Sequence, residues 1–182
     1  MIVTVFGCSG FLGRYVVSVL AKLGNIVITP YRGDEDEVRH LRVCGNQLGT
    51  IIQPHFQPTS ASLIRDCIKE ADAVINLIGR DYDSRSFNMH QINAHIAELI
   101  AKECATAGIK RLVHVSALTG STNKDLKRWS LWRRENQFLC SKKLGEELVL
   151  QHFPSAAIVR PAIMYGYEDR LLNVVGCILD IY

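Results

Sequence analysis

Short apolar runs alternate along the chain with longer segments in which apolar residues recur every three or four positions. The runs are rich in β-branched residues, which is typical of buried strands: IVTVF, IVITP, TIIQPHF, AVINLIG, RLVHVSA and AAIVRP. The longer segments predict helices: GFLGRYVVSVLAKLG, DEDEVRHLRVCG, SASLIRDCIKEA, residues 88–107 and residues 136–152. Strands that alternate with helices predict a parallel sheet covered on both faces, which is a doubly wound α/β (Rossmann) fold.

The chain length suits one domain, and its composition suits a globular protein. It has 182 residues, of which 48% are apolar and 21% charged, and its net charge of +3 is too small to indicate nucleic acid. We expect a dinucleotide-binding domain over residues 1–166, with residues 167–182 beginning a C-terminal region that continues in a longer chain. We expect no signal or transit peptide and no membrane span, since no apolar run reaches about 18 residues.

The six cysteines are scattered and form no C-x-x-C pair, and the six histidines lack ligand spacing. We predict reduced cysteines that act mostly as small apolar residues, and no metal site. Disulfides or a metal centre are the alternative.

Three glycines stand between the first strand and the first helix: Gly7, Gly10 and Gly13. Glycine is needed where a chain turns sharply and where its backbone must approach a phosphate closely. The start of a helix also presents free N–H groups and the positive end of its dipole to an anion. The spacing therefore predicts a pyrophosphate site, and a tight turn without a ligand is the alternative. The predicted site includes the residues between the glycines: Ser9, Phe11 and Leu12.

The end of the second strand distinguishes the two nicotinamide cofactors. A carboxylate there would accept hydrogen bonds from the ribose 2′-hydroxyl and favour NAD. This chain has Arg32 in that zone, within ITPYRGDED, and a guanidinium suits the 2′-phosphate of NADP. We therefore predict NADP(H). The alternative is that Asp34 reaches the ribose and Arg32 is a solvated surface charge.

Several segments together resemble the extended and atypical short-chain dehydrogenase/reductases: TVFGCSGFLG, VINLIGR, QINAHIAELIAKECATAGIKRLVHVSA, SKKLGEEL and IVRPAIMYGYEDRLLN. Their spacing matches across essentially the whole chain. The combination of NLIGRD with YGYEDRLLN is more restrictive and is similar to the accessory nucleotide-binding subunits of mitochondrial respiratory complex I. That resemblance implies a tightly held NADPH without turnover. It also implies a peripheral position on the matrix side of the inner membrane, beside other complex I subunits near the arm junction and not in a homo-oligomer.

In the active members of this family, a tyrosine four residues before a lysine transfers the proton that accompanies hydride transfer. The lysine is present as Lys142, but the tyrosine position holds Phe138, which has no hydroxyl. The catalytic serine usually lies two residues after Ser116, where this chain has Leu118. The resemblance therefore assigns no catalytic residue, and it leaves Ser116 and Lys142 as cofactor contacts. The alternative for Lys142 is an exposed helix charge beside Lys143.

The resemblance implies further cofactor contacts after the third, fourth and sixth strands. Gly79, which follows Leu77 and Ile78, would let the nicotinamide-side ribose approach the backbone. Pro161 and its neighbours would frame the nicotinamide. An aspartate often lies near the adenine after the third strand, whereas this chain has HFQPTS, in which Gln57 could substitute with its amide. One further polar residue is predicted to serve helix packing or hydrogen bonding: Asn93.

A basic segment, residues 124–134, surrounds two tryptophans with five cationic residues: Lys124, Lys127, Arg128, Arg133 and Arg134. Tryptophan between basic residues suits contact with another protein or with anionic lipid head groups. A solvated loop with two packed tryptophans is the alternative, and stacking on RNA bases is a weaker one. We expect no nucleic-acid partner.

The sequence thus favours a non-catalytic, NADPH-binding accessory subunit of complex I, in which the nucleotide stabilises the fold and assembly. The second hypothesis is an NADP-dependent reductase or sugar-nucleotide epimerase-like enzyme with an unusual proton donor, either Tyr82 or Tyr165. The third is a redox-sensing or RNA-binding regulator.

Overall fold

One parallel sheet organises the chain. The computed structural model describes residues 1–33, 35–42, 50–85, 87–118, 133–166, 169 and 173. Within these residues the strands are β1 (Ile2–Phe6), β2 (Ile26–Pro30), β3 (Thr50–Gln53), β4 (Ala73–Asn76), β5 (Arg111–Val115) and β6 (Ala157–Val159). The strand order is β3-β2-β1-β4-β5-β6, and every pairing is parallel. This is the doubly wound order of a Rossmann fold, so the predicted fold class is confirmed.

The helices follow the predicted alternation: α1 (Phe11–Lys22), α2 (Arg39–Arg42), α3 (Ala61–Ile68), α4 (Ile96–Thr106) and α5 (Arg133–His152). Two predicted helices differ in form. The second consists of a 3-10 turn, Glu35–Val38, followed by the single turn of α2, and a π-helical turn, Gln91–His95, precedes α4. Asn88 and Gln91 cap this fourth helical region reciprocally, since each side chain accepts a hydrogen bond from the backbone N–H of the other.

Apolar side chains pack on both faces of the sheet. In β1, Val3 and Val5 join α1 and α2 in one cluster, whereas Phe6 joins α3, α4 and α5 in the other. This alternation is the two-residue period of a strand. Both clusters pack against β1, so the loop that follows Phe6 starts from a buried strand end.

Four described cysteines form no disulfide: Cys8, Cys67, Cys104 and Cys140. Burial raises the pKa of Cys8 to about 11 and the pKa values of Cys67 and Cys104 to about 12. These three thiols therefore serve as apolar packing groups. Cys44 and Cys177 lie outside the described residues. In the described part of the chain, no helix is long and apolar enough to cross a bilayer, and no cluster of side chains suits a metal ion.

Candidate functional site

A cavity of about 590 Å³ opens at the carboxyl ends of the central strands. Its lining includes Gly7, Ser9 and Gly10 after β1, residues 30–33 at the end of β2, and residues 77–82 after β4. The sheet order reverses here, because β1 lies between β2 and β4. Ligands of open α/β sheets bind at such a switch point.

The turn after β1 is shaped by contacts that leave no room for side chains. Gly7 has φ +83°, and a Cβ added to it would lie 2.9 Å from the carbonyl carbon of Leu77. A Cβ on Gly13 would overlap the Gly7 carbonyl oxygen and lie 2.7 Å from the Cys8 carbonyl carbon. Gly10 is exposed, and its Cβ would meet only the Gly7 oxygen, at 3.4 Å. Gly7 and Gly13 therefore fix the turn, and Gly10 presents open backbone to the cavity.

The first helix begins directly behind this turn. Gly10 is its N-cap, no side chain caps it, and its first turn contains no acidic residue. The first N–H groups of a helix have no partner within the helix, and the dipole makes this end positive. The geometry suits an anion such as a pyrophosphate. Phe11, Leu12 and Gly13 belong to this helix start and do not line the cavity.

Arg32 is exposed and lines the cavity just beyond β2. Asp34, the alternative ribose contact, lies outside the described residues. Gln57, the predicted adenine contact, is exposed and does not line the cavity. Its backbone carbonyl accepts a hydrogen bond from the Ser60 amide at 3.0 Å. Its neighbours line the cavity instead: Phe56 and Pro58.

Lys142 on α5 reaches towards the cavity from behind the β4 loop. It is 5% exposed, and its ammonium donates to the Val115 carbonyl at 3.2 Å. A Cβ on Gly79 would overlap Lys142 Nζ, so the absence of a side chain there makes space for the ammonium. Burial lowers the pKa of Lys142 to about 8, although the negative charge of Glu146 opposes the shift. The alternative of an exposed helix charge is therefore wrong.

Phe138 stands one helical turn before Lys142, and its side chain is partly buried. Its carbonyl accepts from Ser141 Oγ at 2.7 Å, and that hydroxyl in turn accepts from Asn93 Nδ2 at 2.9 Å. Asn93 therefore makes the hydrogen bonds predicted for it. The phenyl ring cannot exchange a proton. Leu118, three residues beyond the end of β5, has no hydroxyl and is largely exposed.

A buried polar cluster lies at the ends of β4 and β5 and on the facing side of α5: Asn76, His114, Ser116 and Glu146. An exposed residue after β6, Arg160, pairs with the Glu146 carboxylate. Asn76 Oδ1 accepts from the Ile78 amide at 3.0 Å, and its Nδ2 lies 3.2 Å from His114 Nδ1. Because the amide group donates through Nδ2, His114 accepts through Nδ1 and carries its proton on Nε2. Arg160 donates to both oxygens of Glu146, with distances of 3.0, 3.0 and 2.6 Å.

Burial shifts the pKa values of both His114 and Glu146, but it sets the net direction only at His114. It lowers the pKa of His114 to about 4, and the positive charge of Lys142 adds to the shift. Burial also pushes the pKa of Glu146 upwards, but hydrogen bonds and charge from Arg160 outweigh it, so the net pKa is lowered. In the described part of the chain, His114 Nε2 and Ser116 Oγ make no hydrogen bond. Ser116 nevertheless lies beside the Glu146 carboxylate.

The structure brings together some predicted site residues and separates others. Seven of the predicted residues line the cavity: Gly7, Ser9, Gly10, Arg32, Leu77, Ile78 and Gly79. Ser116 and Lys142 lie behind it, and the Pro161 carbonyl accepts from the Leu118 amide at 2.9 Å, joining the segments that follow β5 and β6. Most of the basic segment lies outside the described residues, and the structure does not describe the side chains of Arg133 and Arg134.

The sequence interpretation missed several residues that line the cavity: Tyr31, Phe56, Pro58, Arg80 and Phe87. Arg80 directly follows Gly79, so its place in NLIGRD was the available signal. Tyr82 is 44% exposed and lines the cavity, whereas Tyr165 is 76% exposed and does not. Of the two alternative proton donors, only Tyr82 faces the candidate site.

The sequence profile of the NAD dependent epimerase/dehydratase family matches residues 3–177. The chain is also 43% identical over 176 residues to NADH dehydrogenase (ubiquinone) 1 alpha subcomplex subunit 9, mitochondrial, from Arabidopsis thaliana. It is 40% identical over 173 residues to the protein of the same name from Rattus norvegicus. These alignments cover 95% of this chain but only 40% and 43% of the two relatives. The chain thus spans about two fifths of the length of the curated relatives that it matches.

A solved structure shares the fold. The UDP-glucuronic acid 4-epimerase of Bacillus cereus, in complex with NAD, superposes with a TM-score of 0.72 at 15% identity. The superposition covers 99% of this chain and 64% of that chain.

Proposed function

We propose, from the premise that this chain belongs to the NAD dependent epimerase/dehydratase family, that it binds NADPH without turning it over. We also propose that it serves as an accessory subunit of mitochondrial respiratory complex I, where the nucleotide stabilises its fold and assembly. The names of the two relatives support this role, but they extend well beyond this chain. One observation carries the non-catalytic part: buried Lys142 is held in place, while Phe138 stands one turn earlier.

The residues present fit a dinucleotide. The contacts around Gly7 and Gly13 bring the backbone close enough for a phosphate, and open Gly10 leads into an uncapped helix start. Arg32 would meet the 2′-phosphate, and Lys142 would hold the nicotinamide-side ribose. A bound nicotinamide supplies hydride chemistry in the enzymes of this family, whereas the residues here bind and orient it.

The missing proton donor supports the proposed absence of turnover. Loss of one general acid or base typically lowers a rate by about 10²- to 10⁴-fold. The cavity position of Tyr82 favours one alternative, an NADP-dependent reductase or epimerase-like enzyme with an atypical donor. Hydride transfer that the Tyr82→Phe substitution abolishes would support that alternative.

The direct test is the identity of the bound nucleotide. The full-length protein, or the complex that contains it, is purified natively and denatured, and the released nucleotide is identified by mass spectrometry. We expect NADPH in stoichiometric amount after extensive washing. Preparations without any dinucleotide, or with NADH in its place, would contradict the proposal.

The location is part of the same proposal. The relatives are named mitochondrial, and we place this protein on the matrix side of the inner membrane, near the arm junction. The basic segment, residues 124–134, is the candidate contact for a neighbouring subunit or anionic lipid head groups. Crosslinks from that segment to complex I subunits would support the placement, and their absence in intact complex would count against it.

A further inference from the structure

The cavity contains a second arginine that the family resemblance did not assign. Arg80 lies on the wall formed by residues 77–82 and follows Gly79 directly. We propose that Arg80 is a fixed cation of the site that binds the pyrophosphate shared by NADH and NADPH. This inference deepens the proposed function and rests on it.

The backbone of Arg80 is held from both sides by one buried amide. Its N–H donates to Asn93 Oδ1 at 2.9 Å, and its carbonyl accepts from Asn93 Nδ2 at 2.8 Å. Asn93 is fully buried and also donates to Ser141 Oγ on α5. The π-helical turn, which carries Asn93, and α5, which carries Ser141, therefore fix the position of the Arg80 backbone, although Arg80 itself follows β4. A cation on such a base loses little conformational freedom when it binds.

The side chain is held as well. The Arg80 guanidinium carbon lies 4.8 Å from the centre of the Tyr82 ring. A stacked guanidinium uses its flat face, so its N–H donors in the plane stay available to a phosphate. Among the described residues, no carboxylate forms an ion pair with Arg80, although its neighbour Asp81 also lines the cavity.

The position of Arg80 relative to the glycine turn favours the pyrophosphate over the 2′-phosphate as its partner. A Cβ on Gly7 would touch the Leu77 backbone, so the wall that carries Arg80 begins at the turn itself. Three residues of extended chain span at most about 10 Å, which keeps Arg80 close to the turn and to the helix start behind it. Arg32 lies instead beyond β2, between Tyr31 and Gly33, whose backbones pair with the end of β3 and the chain after it. The two arginines should therefore act on different parts of the nucleotide.

The test compares dissociation constants of NADPH and NADH for the nucleotide-free full-length protein. Arg80→Ala should weaken both by about 10- to 100-fold and leave their ratio unchanged, since a charge-assisted contact to a shared group is lost. The dissociation constants of Arg80→Lys should lie between those of the wild type and of Arg80→Ala, because lysine keeps the charge without the planar donor set. Arg32→Ala should weaken NADPH alone. Arg85→Ala, an exposed arginine outside the cavity, is the matched control and should change neither constant.

Tyr82 supplies a second readout, because stacking should position Arg80. Tyr82→Ala should weaken both nucleotides by about 2- to 5-fold, whereas Tyr82→Phe keeps the ring and should stay near the wild type. An Arg80→Ala variant that binds both nucleotides normally, or loses only NADPH, would overturn the inference and leave the proposed function intact. Wild-type protein that binds neither nucleotide would overturn both.

Discussion

The glycine turn after β1 and the buried polar cluster behind Gly79 serve one site by opposite means. The turn is built from backbone, and its glycines stand where any side chain would meet neighbouring main chain. The cluster is built from side chains, among them the buried His114 and Glu146, and the buried Lys142 lies beside it. Sterically determined backbone depends little on pH, whereas buried titratable groups depend on it strongly. Substitutions that add side-chain volume should therefore disrupt the glycine turn, whereas changes in protonation or charge should disrupt the polar cluster.

The largest expected effect follows from Gly13→Ala. Its Cβ would overlap backbone atoms of Gly7 and Cys8, so the turn must shift. We expect a loss of about 1–3 kcal/mol in the free energy of unfolding, together with loss of nucleotide binding. Denaturant titration without nucleotide measures the first quantity. Gly10→Ala is the control, because its Cβ meets only one atom, at 3.4 Å, and should change stability by less than about 0.5 kcal/mol. Equal losses in the two variants would break the comparison.

A pH titration should reveal the buried cluster. The pKa of His114 is about 4 in the folded protein, against an ordinary value of 6.5, so the unfolded chain binds more protons between these values. The free energy of unfolding should therefore fall by about 2 kcal/mol from this group between pH 7 and pH 5. The lowered pKa of Glu146 contributes stability that is lost only at lower pH, below its ordinary 4.5. Lys142 stays protonated between pH 5 and pH 7.

His114→Gln isolates that contribution. The substitution should reduce the loss of stability between pH 7 and pH 5 by about 2 kcal/mol, as measured by denaturant titration at both pH values. His90→Gln, at an exposed histidine, is the control and should keep the wild-type dependence. A His114→Gln variant with the same pH dependence as the wild type would show that this histidine is not held neutral.

Lys142→Met should separate binding from stability. The buried ammonium has a lowered pKa, so removing it should leave the folded state equally or more stable. Nucleotide affinity should nevertheless fall by about tenfold, because a charge-assisted contact to the ribose is lost. Isothermal titration and denaturant unfolding give the two quantities, and Lys143→Met is the control. Unchanged affinity would remove Lys142 from the site.

Strands and helices could be predicted because β-branched runs and helical periodicity are local signals. The π-helical turn could not be predicted, since the apolar spacing within its five residues is the same as that of an α-helix. Within this turn, the Asn93 carbonyl lies so close to Gly145 of α5 that a Cβ on Gly145 would overlap it, and this tertiary contact is not visible in the sequence.

The site was predictable to the extent that its residues follow strand ends. Gly7, Arg32 and Gly79 all do so, and all line the cavity. The burial of Lys142 was not visible in the sequence, because a second lysine follows it and only the packing of α5 against the β4 loop distinguishes the two. Gln57 was selected for its amide, but the structure lines that part of the cavity with Phe56 and Pro58.

The central claim is that this site holds a reduced dinucleotide and does not react. The most direct measurement follows the nicotinamide absorbance of protein-bound NADPH over hours with a panel of aldehydes, ketones and sugar nucleotides. The account predicts no oxidation beyond that of the protein incubated alone, because Phe138 has no proton to exchange. Oxidation of the bound NADPH with stoichiometric reduction of any carbonyl compound would contradict it.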